Sequence, residues 1–197
     1  MSLKLVYFKM RALAEAPQML MRCNDIKYDY VMSWIYFGEP WAKAKPKLNF
    51  KQLPMLEVSG QHQICQSIAI LKFLEDKAGL RITDPVKAAK ADAILQSSQE
   101  LFAPLNPTVN FAVGDDFLVK KDAMRPALST RFQELQDCLD ENGSKFFTDD
   151  TCRAAEFAAF HHLDLSKTTL PYFNKRVSKI TDIHFECHRD AKNDGLS

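Results

Sequence analysis

Leu3-Lys4-Leu5-Val6-Tyr7-Phe8-Lys9-Met10-Arg11-Ala12-Leu13-Ala14-Glu15 is the stretch on which the reading of this chain turns. Its first five residues form a short β-rich run, and from Leu13 to Cys23 the apolar residues recur at helical spacing. Pro17 falls early enough in that segment to occupy a first turn, where its missing N–H does little harm. Further along, Tyr28 to Met32 reads as a second strand. Met55 to Val58 and His62 to Cys65 read as a hairpin pair around Ser59-Gly60, and Ser67 to Ala78 as a helix that Gly79 ends.

Strand, helix, strand, irregular link, strand, strand, helix is the element order of a thioredoxin-like α/β domain, which by itself specifies a fold and no activity. After Thr83-Asp84-Pro85 the strand signals stop. Val86 to Leu105 reads as a long helix broken near Pro104 and Pro107, because proline lacks the interior N–H. Leu128, Phe132, Leu135 and Leu139 repeat at helical spacing up to an Asn142-Gly143 stop. Thr151 to Leu163 and Leu170 to Ile180 are two further helical segments. There is no internal repeat. The expected architecture is a thioredoxin-like domain over residues 1–78, a linker over 79–85 and an all-α helical bundle over 86–197.

The 197 residues, 46% apolar and 26% charged, exclude a disordered or low-complexity chain. A formal net charge of +1 argues against a nucleic-acid binder, which would carry a basic face. The five cysteines, Cys23, Cys65, Cys138, Cys152 and Cys187, are odd in number, widely spaced and without a C-x-x-C pair, so a disulfide framework or zinc ribbon is not expected. Met1-Ser2 runs straight into strand-like sequence with no signal-peptide pattern, and no apolar run reaches the length of a membrane span. A cytoplasmic location is expected, and the Asn142-Gly143-Ser144 sequon reads as a loop turn.

Three stretches carry a resemblance. Tyr7-Phe8-Lys9-Met10-Arg11-Ala12-Leu13-Ala14-Glu15, Gln52-Leu53-Pro54-Met55-Leu56-Glu57 and Gln66-Ser67-Ile68-Ala69-Ile70 resemble the patterns Y-F-x-x-R-G-x-A-E, Q-L/V-P-x-L-E and Q-S-x-A-I of cytosolic glutathione transferases. Among these the chain is most similar to the tyrosine-dependent sigma, alpha and mu classes, closest to sigma. The resemblance is strong over residues 1–78 and rests mainly on helix order and length beyond residue 85.

The resemblance implies that glutathione is a co-substrate, that no metal is used, and that Tyr7 donates a hydrogen bond to the glutathione sulfur. The physical need for such a donor is plain. A free thiol has a pKa of about 8.5, and lowering it by about two units requires roughly 2.7 kcal/mol of preferential stabilisation of the thiolate. One charge-assisted hydrogen bond in a partly dry site supplies that. By the same resemblance Pro54 follows a cis peptide, Leu53 pairs its main chain with the cysteinyl part of the ligand, and Gln52 belongs to the same binding motif. Gln66 and Ser67 hold the γ-glutamyl carboxylate at a helix start. Trp41 and Lys45, on one helical face, bind the glycine carboxylate, and Glu100 reaches across a homodimer interface to the ligand's α-amino group. Phe50 inserts into the partner's helical domain. Phe8, Met10, Phe102 and Leu105 line a pocket for a small apolar electrophile.

Read without the resemblance, the residues leave plainer alternatives open. Tyr7 could be a strand aromatic, Pro54 a trans proline opening a strand and Ser67 an N-cap. Trp41 and Lys45 could be surface residues, Glu100 a solvated helix charge and Phe50 a ring packed within its own domain.

The chain also departs from the family patterns. Leu13 stands where alpha and sigma members have arginine, Ala12 where glycine is usual, and Arg11 is expected to be structural. The helix start T-x-A-D becomes Arg153-Ala154-Ala155-Glu156, so Asp150 or Thr151 is expected to cap in place of the missing threonine. The final segment has no obvious lid aromatic. A thiol-disulfide enzyme is excluded because no cysteine lies between Phe8 and Arg11. His161, His162, His184 and His188 with Cys187 match no zinc spacing and read as solvated helix residues. Two rivals to conjugation remain: a non-catalytic relative, as lens crystallins and translation-factor modules are, and a glutathione-dependent isomerase of the prostaglandin D synthase kind.

Overall fold

The structure, a computed structural model, describes residues 1–166, and it divides into two compact units, Met1–Leu80 and a second that begins at Arg81. In the first unit β1 (Leu3–Tyr7) leads through a 3₁₀ turn at Ala12–Ala14 into α1 (Glu15–Cys23), and β2 (Asp29–Met32) follows. The helical segment expected from Leu13 therefore starts in the 3₁₀ turn and becomes α-helical only at Glu15. Pro17 lies in the first turn of α1, as its missing N–H requires. The irregular link contains two short helices that the sequence pattern did not show, α2 (Ser33–Phe37) and α3 (Trp41–Ala44), then a 3₁₀ turn at Lys45–Lys47. β3 (Met55–Val58), β4 (His62–Cys65) and α4 (Ser67–Lys77) complete the unit.

The four strands form one sheet in the order β2-β1-β3-β4. β1 runs parallel to β2, with Tyr7 beside Met32, and antiparallel to β3, with Leu3 opposite Val58 and Val6 opposite Met55. β4 returns antiparallel to β3, pairing Cys65 with Met55. Leu5, Val6, Met55 and Leu56 are completely buried, as are Leu20 and Met21 of α1 and Ile70 and Leu74 of α4. α1 and α4 pack together, and α4 also meets β3 and β4. Gly79 closes α4 at φ 72°, with Leu80 N–H bonded to Glu75 C=O and Gly79 N–H to Asp76 C=O. That is the Schellman arrangement that left-handed glycine permits.

In the second unit the Asp84 carboxylate accepts from Lys87 N–H at 2.7 Å, and Pro85 opens α5 (Pro85–Glu100). The chain then starts a separate helix, α6 (Phe102–Val109). The break therefore comes at Leu101, ahead of the two prolines. Pro104 has no N–H to give to Glu100 C=O, so α5 ends four residues before it, while Pro104 itself sits harmlessly in the first turn of α6. α7 (Gly114–Asn142) carries an inner stripe of Met124, Leu128, Phe132, Leu135 and Leu139 and stops at Gly143, φ 65°. α8 (Ala154–Ser166) is buried along nearly all of its length and packs against α5 and α6. No helix among the described residues is long and apolar enough to cross a membrane.

Three expectations for this unit are corrected. The last described helix begins at Ala154 and runs to Ser166, instead of Thr151 to Leu163. Neither Asp150 nor Thr151 caps it: Asp150 accepts from Lys145 N–H, and Thr151 gives its own N–H to Asp149. The buried Glu156 carboxylate does the capping, accepting from Arg153 N–H at 2.8 Å and Phe147 N–H at 3.0 Å. His161 and His162 are buried rather than solvated, because α8 faces the core. The His162 ring lies 5.8 Å from that of Phe102, and burial with the neighbouring His161 holds its pKa well below the usual histidine value. The Leu170 to Ile180 segment, His184, Cys187 and His188 lie outside the described residues. Cys23, Cys65, Cys138 and Cys152 are free thiols.

Replacing Glu156 by Ala would strand two buried amide donors at once. Each costs about 1–3 kcal/mol, so urea unfolding of the Glu156→Ala protein should show a loss of roughly 2–6 kcal/mol. A loss below about 0.5 kcal/mol would show that the cap is not structural.

Candidate active site

Strand register gathers the sequence motifs at one end of the sheet. β1 finishes at Tyr7, and because Val6 pairs with Met55, Tyr7 comes level with the start of β3, where Leu53 and Pro54 enter. β4 runs back to the same end, and Cys65, opposite Met55, hands over to Gln66 and Ser67 at the start of α4. Sequence positions 7, 53–54 and 66–67 thus become neighbours of one sheet edge.

Tyr7 is 5% exposed. Burial raises its phenol pKa above the usual tyrosine value, and a hydrogen bond with the Leu13 backbone acts in the opposite direction. The sign matters: a raised pKa keeps the hydroxyl protonated through the neutral range, so this group is a donor and not a base. The loop that returns Leu13 to Tyr7 is short. Met10 N–H turns back on Phe8 C=O at 2.8 Å, and Ala12 adopts φ 40°.

The Leu53–Pro54 peptide is cis, and both residues are buried. Gln66, immediately before α4, sits at φ 74°, ψ 120°, a backbone region that non-glycine residues rarely occupy. Its amide Nε2 donates to Gln52 Oε1 at 3.4 Å, so these two exposed side chains approach each other. Ser67 is buried as the first residue of α4, whose opening amides have no partner within the helix.

Trp41 stands edge-on to Phe8, with ring centroids 5.5 Å apart at 82°, and Phe8 in turn packs on Tyr7 at 5.2 Å. An aromatic chain therefore links Trp41 to the tyrosine. α3 is only one turn long and Lys45 falls in the 3₁₀ turn after it, yet Lys45 N–H still bonds Trp41 C=O, which keeps the two residues one turn apart. Lys45 is exposed. Phe50 is 58% exposed. Arg11 pairs with Glu15 at 3.4 Å.

Glu100 belongs to the second unit, where it forms an ion pair with Arg131 at 2.9 Å. Leu105 is completely buried, so it is core. The second unit also holds a cleft of about 710 Å³, lined in part by Lys90, Ala93, Ile94, Cys138 and Phe147. One neighbour of the site escaped the sequence reading: Tyr30, whose hydroxyl donates to Phe8 C=O at 2.6 Å, looks in sequence like any aromatic of a strand.

A thioredoxin-like sheet with a buried tyrosine, not a cysteine, at the end of its first strand, followed by a helical unit, puts the chain in the thioredoxin-fold class. Comparison with known proteins narrows this. The family model described as the glutathione S-transferase N-terminal domain matches residues 1–76. Hematopoietic prostaglandin D synthase of Gallus gallus is 34% identical over 170 residues, covering 85% of this chain and 78% of that protein. Glutathione S-transferase 1 of Ascaris suum is 29% identical over 174 residues, covering 86% of this chain and 82% of that protein. The crystal structure of the glutathione S-transferase from Ascaris lumbricoides shares the fold, with a TM-score of 0.81 at 23% identity, covering 100% of this chain and 99% of that one. The chain belongs to the glutathione S-transferase family, a family of enzymes that use glutathione as co-substrate.

The positive φ of Ala12 costs a non-glycine residue about 1–2 kcal/mol, partly offset by the lower chain entropy of alanine when unfolded. The Ala12→Gly protein should therefore be more stable by about 0.5–1 kcal/mol in chemical denaturation. Destabilisation would mean that the Ala12 methyl, fully buried here, contributes more by packing than its backbone costs.

Proposed function

We propose that this chain binds glutathione through residues 1–78, holds its thiol as the thiolate with the Tyr7 hydroxyl, and directs that sulfur at a small apolar electrophile. The observation that carries the reading is the buried Tyr7, held protonated by that burial and level with the Leu53–Pro54 entry to β3. In this reading residues 79–85 are a linker and 86–197 the helical domain. Leu53 offers its main chain to the cysteinyl part of the ligand. Gln66 and Ser67, with Gln52 beside them, take the γ-glutamyl carboxylate at the start of α4, where unpaired amides and the helix dipole favour an anion. Trp41 and Lys45 take the glycine carboxylate, one by an indole N–H and the other by charge.

The chemistry is brief. On binding, the thiol releases its proton to solvent, and the Tyr7 O–H hydrogen-bonds to the resulting sulfur anion without transferring its own proton. The sulfur lone pair then attacks the electrophilic carbon; as the C–S bond forms, the electron pair of the bond that breaks leaves with the departing group or, in an addition to a polarised double bond, moves onto the activating group, which takes a proton from solvent. Isomerisation, in which the thiolate is regenerated, is a second reading. It is favoured by the relative named hematopoietic prostaglandin D synthase. Both need the same thiolate.

Tyr7→Phe should still bind glutathione but lose about 10- to 100-fold in turnover, and the thiolate absorbance of the bound ligand near neutral pH should disappear. Unchanged turnover in that variant would end the mechanism while leaving the fold intact.

The reading includes a homodimer. Its support is the outward-facing Phe50 and the 710 Å³ cleft of the helical unit, whose Ala93, Ile94 and Phe147 suit an aromatic side chain from a second copy. Glu100 would have to leave, or share, its Arg131 pair to reach a partner's ligand. Sedimentation velocity is expected to show a dimer for the wild type and a shift toward monomer for Phe50→Ala. A wild type that sediments as a monomer rejects this part of the proposal.

A further inference from the structure

We infer that Phe8 is a positioning residue for Trp41: its ring, seated between Tyr7 and Trp41, fixes the direction of the indole and so the reach from the tyrosine to the group that takes the glycine carboxylate. The inference deepens the function proposed above and rests on it, since it takes Trp41 to bind that carboxylate.

Trp41 opens α3, a helix of four residues, too short to be stable by itself. Its main chain is held by the segment around it: Ala44 and Leu48 are buried, and Glu39, before the helix, pairs with Lys47, after it, at 2.5 Å. These contacts fix where the backbone runs, and they leave the choice of indole rotamer open. Two rings make that choice. Phe8 meets the indole edge-on, with centroids 5.5 Å apart at 82°, the favoured T-shaped arrangement, and Phe37 lies 6.4 Å away at 43°. Phe37 belongs to α2, in the same irregular link as α3, whereas Phe8 directly follows β1. Phe8 is the better anchor. Its carbonyl accepts both the Tyr30 hydroxyl, at 2.6 Å, and Met10 N–H, at 2.8 Å, and its ring packs on Tyr7 at 5.2 Å. Tyr7 is fixed in turn by the β1 ladder, beside Met32 of β2.

The consequence concerns the length of the ligand. Glutathione carries its thiol in the middle and a carboxylate at each end. A site that takes the sulfur at Tyr7 and the glycine carboxylate at Trp41 must hold these two groups at one separation, or one contact is made at the expense of the other. The sheet fixes Tyr7, and through the Phe8 ring it also fixes Trp41. Without that ring the indole samples other rotamers, and the cost of ordering it falls on the binding step. The loss is then confined to the glycine end of the ligand. The thiolate is unaffected, because Tyr7 keeps its place in β1, where it is 5% exposed.

The test measures binding by calorimetry for wild type, Phe8→Leu, Phe8→Met and Phe8→Tyr with two ligands, glutathione and γ-glutamylcysteine, which lacks the glycine. Phe8→Leu and Phe8→Met should bind glutathione about two- to tenfold more weakly, the range expected for one aromatic pair, and γ-glutamylcysteine as wild type does. Phe8→Tyr, which keeps the ring, should match wild type with both. In Trp41→Ala protein the further change Phe8→Leu should leave glutathione binding as it is, since the two residues act as a pair. The ultraviolet thiolate titration of bound glutathione should not shift. The chain has two tryptophans, so in a Trp34→Phe background the emission reports Trp41 alone, and its quenching by acrylamide in ligand-free protein should rise in Phe8→Leu. Equal weakening of both ligands, an undiminished effect of Phe8→Leu in Trp41→Ala protein, or a shifted thiolate titration overturns the inference. Unchanged acrylamide quenching overturns it too, and leaves the proposed function standing. If wild type binds the two ligands equally tightly, the assignment of the glycine carboxylate to Trp41 falls, and the inference falls with it.

Discussion

The antiparallel pairing of β1 with β3 is the constraint from which the candidate site follows. Side chains alternate across a strand, so a slip of one residue would move every side chain of the slipped strand to the opposite face. Leu5 and Val6, like Met55 and Leu56, are neighbours that point to opposite faces, and all four are completely buried, so both faces are packed and a slip would disrupt the packing on each. With Val6 held opposite Met55, the tyrosine that follows one and the proline that precedes the other must come level. The second hairpin then carries Cys65, and hence Gln66 and Ser67, to the same end. Core packing sets the register, and the register assembles the site.

Unusual backbone conformations gather where the strands deliver these residues. Among the described residues, five non-glycine residues have positive φ: Ala12, Asp25, Lys51, Ser59 and Gln66. Ser59 lies in the hairpin turn at the opposite end of the sheet and Asp25 follows α1, but the other three flank the edge that holds Tyr7. Ala12 follows β1, Lys51 precedes β3 and Gln66 follows β4. Such conformations cost of order 1–3 kcal/mol each and persist only where the surroundings impose them. Here the imposing parts can be named: the β1–β3 ladder on one side, and around Ala12 the Tyr30 and Met10 hydrogen bonds on Phe8 C=O.

The helical unit meets the same demand, that buried polar groups be satisfied, by other means. Without a threonine before α8, the Glu156 carboxylate takes up two main-chain amides that would otherwise be orphaned. The Asp149 carboxylate is held down to about 2 by Arg153 and ties the preceding loop to the guanidinium. A missing cap is thus replaced by a network whose parts lie within ten residues of one another.

Strand and helix identities were legible because they depend on local periodicity and on punctuation by glycine and proline: β3, β4, α4 and the Gly143 stop all follow from residues next to one another. The break between α5 and α6 was misplaced because proline acts on the carbonyl four residues back, an effect exerted at a distance from the residue that signals it. The burial of His161 and His162 was missed because α8 is apolar almost all round, so its own pattern does not say which side chains meet α5 and α6. The motif residues Tyr7, Pro54 and Ser67 could be picked out by type and spacing. Their assembly at one sheet edge could not, since it requires pairing residues roughly fifty positions apart. The sequence by itself determined the kinds of element, their order and the side chains available for chemistry, since each of these is written in neighbouring residues. Only the tertiary structure decided that the Met10 N–H and the Tyr30 hydroxyl converge on the Phe8 carbonyl in the turn after Tyr7, because main-chain donors carry no residue type and long-range hydrogen bonds leave no local pattern.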